Sequence, residues 1–266
     1  MSEQVWMDGQ WGEAGAAGWP VNARNALLGD GVFETIRVRD GIPLRLPRHL
    51  ARLRAGCAAL GLDFRMDDAT LQALCMEAAL RNGLDDAALR LTVAARGGPR
   101  GLVRSDGAVS ILLSAAGRKV PDAPLRLSTS IIRRSASSFA ARHKTLSYAD
   151  NVAARREAAE AGADMALLLD TDGHVSGGDC ANLFWVSGGA LFTPSLDCAV
   201  LPGTVRAELV EGNAVETGTY GRDALDVADA AFVTNALMGV VPVADIDGRA
   251  LDPAHPLIVA VAAGLD

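Results

Sequence analysis

A strict alternation of residue types between Val32 and Val38 is the sequence feature that most constrains the fold. Extended backbone places alternate side chains on opposite faces, so one face of the predicted strand is apolar except for one acid. That face carries Val32, Glu34, Ile36 and Val38. Because an isolated carboxylate is costly to bury on an apolar face, we predict that another element supplies a partner for Glu34.

The rest of the N-terminal half predicts an antiparallel sheet with a pair of helices. A proline in the first turn and a glycine after the last residue are typical helix boundaries, and Asp-Gly between alternating residues is typical of a hairpin. The predicted elements are a hairpin around Asp8-Gly9, helices at 47–60 and 67–81, and strands at 89–96 and 109–114.

The C-terminal half follows a polar stretch, G-R-K-V-P-D-A-P, that is typical of a linker. We therefore predict an N-terminal domain at 1–116, a linker at 117–124 and a C-terminal domain at 125–266. The fold class is α+β, with a small N-terminal α+β domain and a larger C-terminal domain whose barrel-like sheet closes on itself. Its predicted elements are strands at 125–132, 165–169, 183–186, 190–193 and 230–233 and helices at 148–161 and 204–210.

Charge and hydropathy exclude several classes of function. The 266 residues carry a net charge of -7 with no long basic block, which argues against nucleic-acid binding and against a polybasic membrane anchor. No apolar run approaches the roughly 20 residues that span a bilayer, and the N-terminus lacks a signal-peptide pattern. We expect a cytoplasmic protein. A local basic cluster is either a solvated face or the lining of an anion site; it consists of Arg133, Arg134, Arg142, His143 and Lys144.

The four cysteines are widely spaced and form no C-x-x-C pair. This spacing favours reduced thiols over a disulfide framework or a zinc site, so we expect no metal. Cys180 lies in a glycine-rich segment, where a core or cavity-lining thiol is a better interpretation than a nucleophile.

Lys144 stands between a loop rich in serine and arginine and a predicted helix, in a chain with few lysines. Position alone favours a surface lysine, but the motifs around it change that interpretation. Seven motifs, in order along nearly the whole chain, resemble those of the class IV aminotransferases, the pyridoxal-phosphate enzymes of fold type IV. They are G-D-G-V-F-E-T-I-R-V, R-H-L-A-R-L, R-G-G-P-R-G, K-T-L-S-Y, A-N-L-F-W, L-P-G-T-V-R and T-N-A-L-M-G-V-V-P-V.

The resemblance implies pyridoxal 5'-phosphate as cofactor and Lys144 as the lysine that binds its aldehyde and shuttles the proton. Arg52 would hold the phosphate through its guanidinium fork, although the bare residue is equally a helix-surface charge. Gly203, Thr204 and Val205 would open a helix whose amides face that phosphate, where a simple turn before a helix is the alternative.

Further roles follow from the same resemblance. Asn235 and Ala236 would complete the phosphate cup, and Tyr148 would lie near the phenolic oxygen unless it only packs at a helix start. Phe33, Arg96 and Arg100 are the candidates for contact with substrate, the arginines through its carboxylate or else as surface charges. The family implies a small-molecule amino substrate and a homodimer.

Gly177 departs from the family pattern. The resemblance places there a glutamate that pairs with the pyridine nitrogen and keeps it protonated, which makes the ring a better electron sink. Asp179 could supply a substitute carboxylate, or it could cap local amides in a turn.

The missing acid decides between the family's reactions. Transamination depends on the electron sink, whereas aminodeoxychorismate lyase is driven by formation of an aromatic ring. We therefore predict a lyase that releases pyruvate and gives 4-aminobenzoate on the folate route. The alternatives are a branched-chain or D-amino-acid aminotransferase with altered ring electronics, and a protein that binds the cofactor without catalysis.

Overall fold

A computed structural model describes residues 3–97, 101–104 and 106–265. The chain divides into two compact units, each with its own core. The first unit comprises Met1–Lys119 and His143–Ser147, and the second comprises Val120–Arg142 and Tyr148–Asp266. The short segment that carries Lys144 thus groups with the N-terminal residues, while the predicted domain boundaries stay a prediction.

The first unit is a mixed layer of sheet and helices. Within its described residues six strands pair antiparallel in the order β2-β1-β6-β5-β3-β4. Its elements are β1 (Gln4–Met7), β2 (Gln10–Glu13), α1 (Arg24–Leu28), β3 (Gly31–Arg39), β4 (Ile42–Pro43), α2 (Leu46–Leu60), α3 (Asp68–Arg81), β5 (Asp86–Ala95) and β6 (Val109–Gly117).

The turn and helix-capping residues that the sequence predicts have those roles in this unit. Asp8 and Gly9 adopt φ values of 48° and 97°, which suit the tight turn between β1 and β2. Helix α2 ends at Gly61 with φ 65°, and the side chain of Asp67 accepts a hydrogen bond from Thr70 N to begin α3. The predicted hairpin and both helices are therefore confirmed.

The core of the first unit lies between β3 and the two helices. Val32, Ile36 and Val38 on one face of β3 are fully buried in a cluster with Leu50 and Leu53 of α2. The predicted apolar face is thus the face that α2 covers, and Glu34 enters this interface with it.

The second unit contains a longer, mixed sheet. Among the described residues the strand order is β12-β11-β10-β13-β14-β7-β8-β9, with β15 paired to β14. Its elements are β7 (Leu125–Arg134), α4 (Phe139–Arg142), α5 (Ala149–Glu160), β8 (Met165–Asp170), β9 (Val175–Gly178), β10 (Asn182–Ser187), β11 (Ala190–Pro194), α6 (Thr204–Gly212), β12 (Val215–Gly218), a 3₁₀ helix (Arg222–Leu225), β13 (Ala230–Asn235), β14 (Gly239–Ile246), β15 (Arg249–Ala250) and α7 (Pro256–Ala263).

This sheet curls so that its last strand returns toward the middle. Gly178 N at the end of β9 donates a hydrogen bond to Ala181 O, 2.9 Å away, just before β10 begins. That bond closes the turn between β9 and β10. The sheet as a whole is a curled half-barrel, and the predicted α+β fold class is confirmed. Buried side chains fill both faces of the central strands, where Phe184 and Phe232 stack with ring centroids 5.0 Å apart.

No helix in the described part of the chain is long and apolar enough to cross a bilayer.

Candidate active site

The backbone of Lys144 is fixed beside the start of β3. Phe33 N donates a hydrogen bond to Lys144 O at 2.9 Å, and Leu146 N donates to Gly31 O at 3.0 Å. Between them Thr145 forms an antiparallel bridge with Val32. The lysine therefore sits on a short extended segment that is held by β3, although 110 residues separate the two in sequence.

Gly31, the last residue of the G-D-G motif, is the first residue of β3, and its surroundings explain why it is glycine. A Cβ atom at this position would lie 2.8 Å from both Leu146 Cδ1 and Val93 O, closer than real Cβ contacts allow. A larger residue would push the Lys144 segment away from the strand. The glycine is thus required by close packing of backbone segments.

The ring of Phe33 receives two cations. Lys144 Nζ lies 4.2 Å from the ring centroid, and the Arg90 guanidinium carbon lies 3.7 Å from it. Both distances are within the range of cation–π attraction. The structure thus brings the predicted residues Phe33 and Lys144 together. Arg90 was missed, because only the pairing of Thr35 with Arg90 in the sheet places it diagonally beside Phe33.

Glu34 has the partner that its position required. Its two carboxylate oxygens accept hydrogen bonds from Arg52 Nε at 2.7 Å and Arg52 Nη2 at 2.6 Å. His49 Nδ1 contacts the same carboxylate at 2.6 Å. Glu34 and His49 are fully buried and Arg52 is half-buried. A bidentate carboxylate therefore fixes the plane of the Arg52 guanidinium.

This cluster shifts the pKa values of its members. Burial acts to raise the pKa of Glu34, but hydrogen bonds from Arg52 and His49 overcome it and hold the pKa below its usual range. Burial also lowers the pKa of His49, with Arg52 and Lys144 adding in the same direction and Glu34 opposing them. The carboxylate is therefore charged and the imidazole neutral near neutral pH.

In the second unit, helix α6 begins at the predicted phosphate-binding residues. Gly203 is its N-cap and provides no side-chain hydrogen bond, while Thr204 and Val205 form the buried first turn. A Cβ atom at Gly203 would overlap Asn182 Oδ1, so only glycine fits beside this amide. The helix start is thus lined closely by Asn182, whose Nδ2 donates to Leu201 O at 3.0 Å.

Polar groups from neighbouring strands surround Asn182. It pairs with Thr234 across β10 and β13, and the buried Thr234 Oγ1 has no hydrogen-bond partner among the described residues. Asn235 follows, with Oδ1 accepting from Leu237 N and Met238 N, and Nδ2 donating to Cys180 O at 3.3 Å. We call Asn182, Gly203–Val205, Thr234 and Asn235 the α6 cradle; Ala236 lies half-buried in the adjoining turn.

The α6 cradle fits an anionic group. Arg206, in the first turn of α6, is 7% exposed, and its Nε has no hydrogen-bond partner in the part of the chain that the structure describes. Its Nη2 donates to Pro194 O at 2.8 Å, and burial lowers its pKa. Helix amides, an orphaned buried hydroxyl and an incompletely satisfied buried cation together favour a phosphate at this helix start.

Gly177 lies in β9 with φ 143°, a backbone conformation that side chains rarely adopt. A Cβ atom there would be 3.1 Å from Ala181 O. Position 177 thus lacks an acid, and its backbone geometry favours glycine over residues with a side chain. The sequence showed the missing acid but not this constraint.

The Asp179 carboxylate is held by other groups. Arg155 donates to it from Nε at 2.7 Å and from Nη2 at 2.5 Å, and Ala166 N donates at 2.8 Å. Asp179 is 3% exposed. Of the two predicted roles, these contacts favour the structural one, because three hydrogen bonds already occupy the carboxylate.

Two of the remaining predicted residues, Tyr148 and Arg96, lie in different units. Tyr148 is the half-buried N-cap residue of α5, and its carbonyl accepts from Val152 N. Arg96 is exposed, with its guanidinium 3.9 Å from Asp8. Arg100 lies outside the described residues.

The predicted basic cluster is divided between the units. His143 and Lys144 belong to the first unit, while Arg133, Arg134 and Arg142 belong to the second. Arg134 Nη2 donates to Gly178 O at 3.1 Å, and desolvation lowers its pKa. The five basic residues, which lie between positions 133 and 144 of the sequence, are thus divided between the two units.

The model of the family described as amino-transferase class IV matches residues 31–246. The chain belongs to this family. Its members are pyridoxal-phosphate enzymes that act on small-molecule amino substrates, so this protein is a pyridoxal-phosphate enzyme. The resemblance predicted from the seven motifs is confirmed.

Individual relatives differ in the activity they are named for. The chain is 29% identical over 231 residues to the aminodeoxychorismate lyase of Bacillus subtilis, covering 83% of this chain and 79% of the relative. It is 27% identical over 265 residues to a branched-chain-amino-acid aminotransferase of Pseudomonas aeruginosa, covering 92% and 85%. The solved branched-chain aminotransferase of Thermoproteus uzoniensis with norvaline is similar with a TM-score of 0.92 at 26% identity, covering 100% and 94%.

We predict that Gly203→Ala weakens cofactor binding, because the added methyl must displace the Asn182 amide from the helix start. In an Asn182→Ala background the same change meets no amide, so its effect is expected to be smaller. Fluorescence titration of the four proteins with pyridoxal phosphate measures this coupling. Equal losses in both backgrounds would contradict the assigned clash.

We predict that the buried imidazole of His49 makes the protein less stable in mild acid. Its pKa is lowered by folding, so as the pH falls below about 6.5 the unfolded chain takes up a proton that the folded chain resists. His49→Gln keeps a donor for Glu34 but cannot titrate. Its melting temperature should therefore fall less between pH 7 and pH 5 than that of the parent; an equal fall in the two proteins would contradict this role of His49.

Proposed function

We propose that this enzyme is an aminodeoxychorismate lyase-like enzyme that releases pyruvate and forms 4-aminobenzoate. The observation that carries the proposal is the glycine at position 177 with its positive φ, together with the Asp179 carboxylate that Arg155 and Ala166 already hold. Neither residue offers a free acid to a pyridine nitrogen. A reaction driven by aromatisation tolerates that deficit better than transamination does.

Pyridoxal phosphate supplies an electron sink for the electron pair left at the substrate carbon beside the amine, and a protonated ring nitrogen deepens that sink. In our proposal Lys144 attaches the cofactor covalently and then moves the proton at the substrate carbon. Its amino group is suited to both tasks because β3 fixes its backbone, while Phe33 lies under its Nζ.

We assign the phosphate to two sets of donors, following the family resemblance. Arg52 supplies a guanidinium whose plane is fixed by Glu34, and buried His49 supports the same carboxylate. Gly203, Thr204 and Val205 supply amides and a hydroxyl at the start of α6. Glu34 and His49 are positioning residues in this scheme, since they act through Arg52.

The substrate carboxylate is assigned to arginines of the first unit. We add Arg90 to these candidates because its guanidinium lies over the same Phe33 ring as Lys144 Nζ. Arg96 and Arg100 remain candidates from the sequence. A guanidinium matches a planar carboxylate and stays charged throughout catalysis. Tyr148, Asn235 and Ala236 keep their predicted roles around the cofactor as part of the proposal.

The second candidate function is an amino-acid aminotransferase of the branched-chain or D-amino-acid type. It is favoured by the similarity to the Thermoproteus uzoniensis and Pseudomonas aeruginosa enzymes. Incubation of the purified holoenzyme with aminodeoxychorismate, and separately with amino acids plus pyruvate or 2-oxoglutarate, distinguishes the two. Production of 4-aminobenzoate without keto-acid-dependent turnover supports the lyase. Turnover with keto acids alone overturns it, and binding without turnover of either class indicates a non-catalytic protein.

We predict that Lys144→Ala removes the visible absorbance band of bound cofactor and the activity. The chain contains two lysines, so Lys119→Ala is a complete matched control. Lys119 is exposed and should be replaceable without spectral change. Borohydride reduction followed by peptide mass spectrometry should place the cofactor on Lys144; a label on Lys119 would refute the assignment.

We predict that Gly177→Glu raises transamination relative to lyase activity, because it restores an acid near the ring. The positive φ at this position makes any side chain strained by about 1–3 kcal/mol, so the melting temperature should fall. Gly177→Gln has the same size and strain without the charge and is therefore the control. Equal transamination by the Glu and Gln variants would contradict the electronic argument.

The cytoplasmic location, the folate route and the homodimer stay predictions. Sedimentation of the purified holoenzyme tests the assembly directly.

A further inference from the structure

Three ligand-bearing side chains meet in the second unit outside the proposed catalytic residues. They are Asp170, at the end of β8, His174, in the turn before β9, and Cys198, in the loop after β11. One carboxylate oxygen, one imidazole nitrogen and the sulfur all lie within 4.8 Å of one another. A nitrogen, a sulfur and an oxygen within this distance form a donor set of the kind that zinc binds in proteins.

The carboxylate of Asp170 is oriented by its own turn. Asp172 N and His174 N both donate to Oδ1, at 2.9 and 2.8 Å, which leaves Oδ2 directed toward His174 Nδ1 at 3.0 Å. Asp170 is 4% exposed. The ligand atoms are thus held by backbone hydrogen bonds before any metal arrives, as outer contacts hold the ligands of known zinc sites.

Cys198 is held at the same place by a different segment. The residue is 2% exposed, and Cys198 N donates to Ser195 O in a tight turn. The next residue, Ala199, has φ 57°, and its carbonyl accepts from Ser176 Oγ of β9 at 3.1 Å. The thiol therefore faces the β8–β9 hairpin in a loop that is fastened to that hairpin.

We propose that Asp170, His174 and Cys198 form a binding site for a thiophilic divalent cation, with Zn²⁺ as the best match. The ion would lie between a carboxylate oxygen of Asp170, a ring nitrogen of His174 and the sulfur of Cys198, which would bind it as a thiolate after releasing its proton to solvent. His174 is 34% exposed on its side chain, so a water molecule can complete four-coordination from that side.

The site would link two segments that the hydrogen bond from Ser176 Oγ to Ala199 O already brings together. Its cation joins the β8–β9 hairpin to the loop that leads, through Leu201 and Pro202, into the start of α6. Stabilising this loop would stabilise the Gly203 end of the α6 cradle. The inference concerns metal binding itself and does not depend on which reaction the enzyme performs.

The spacing of the cysteines gave no sign of this site. Only Cys198 takes part, and its partners lie more than twenty residues earlier in the chain. The sequence therefore predicts no metal, because zinc motifs are recognised by closely spaced pairs of ligands.

The test is zinc binding to the full-length holoenzyme, followed by X-ray absorption at the zinc edge. We expect one equivalent of Zn²⁺ to remain after gel filtration, with one sulfur scatterer at about 2.3 Å and nitrogen or oxygen scatterers at about 2.0–2.1 Å. The sulfur signal separates this site from zinc bound by the cofactor or by surface carboxylates. Zinc with only nitrogen and oxygen scatterers would overturn the proposal.

Matched variants locate the ligands. Cys198→Ser should abolish the sulfur signal and weaken zinc binding more than about tenfold, and His174→Gln and Asp170→Asn should weaken it similarly. Cys180→Ser and His255→Gln are controls that should keep both the affinity and the sulfur signal. Circular dichroism without zinc confirms that each variant is folded. Zinc binding that survives in Cys198→Ser, or is lost in Cys180→Ser, would show that the cluster is not the site.

Discussion

The buried pairing of Glu34 with Arg52 and His49 is the interaction on which the first unit depends. It joins β3 to α2 at the core, where an unpaired carboxylate would be strongly destabilising. The same strand holds the Lys144 backbone through Phe33 N and Gly31 O. One strand thus carries the structural ion pair on one face and the lysine with its aromatic neighbour on the other, and this alternation couples the fold to the chemistry.

Close approach of other segments to two glycines is the second constraint. Gly31 lets the Lys144 segment pack on β3, and Gly203 lets Asn182 line the start of α6. In both places glycine is needed because it has no Cβ atom. Backbone amides and neighbouring side chains can therefore lie directly beside it. A sequence motif shows that glycine occupies such a position. The atom that would clash with a larger residue belongs to a segment that is distant in the chain.

The β8–β9 region is where this enzyme departs from the pattern that the family resemblance implies. Gly177 lacks the acid that the family resemblance implies, and the Asp179 carboxylate is bound by Arg155 and Ala166, so neither position of this hairpin offers an unoccupied carboxylate. The same hairpin brings Asp170 and His174 to Cys198. A short strand pair therefore bears on both the proposed reaction and the proposed metal site.

The sequence by itself determined the α+β class, the helices α2 and α3 with their caps, the need for a partner at Glu34, and the family with its cofactor. These rest on local periodicity, on capping residues and on motifs that are contiguous in the chain. Tertiary structure alone decided that Arg52 and His49 are the partners, that Arg90 and Asn182 join the candidate residues, and that Asp170, His174 and Cys198 meet. Each of these depends on strand register or on loops that approach across long separations, and no local pattern encodes such distances.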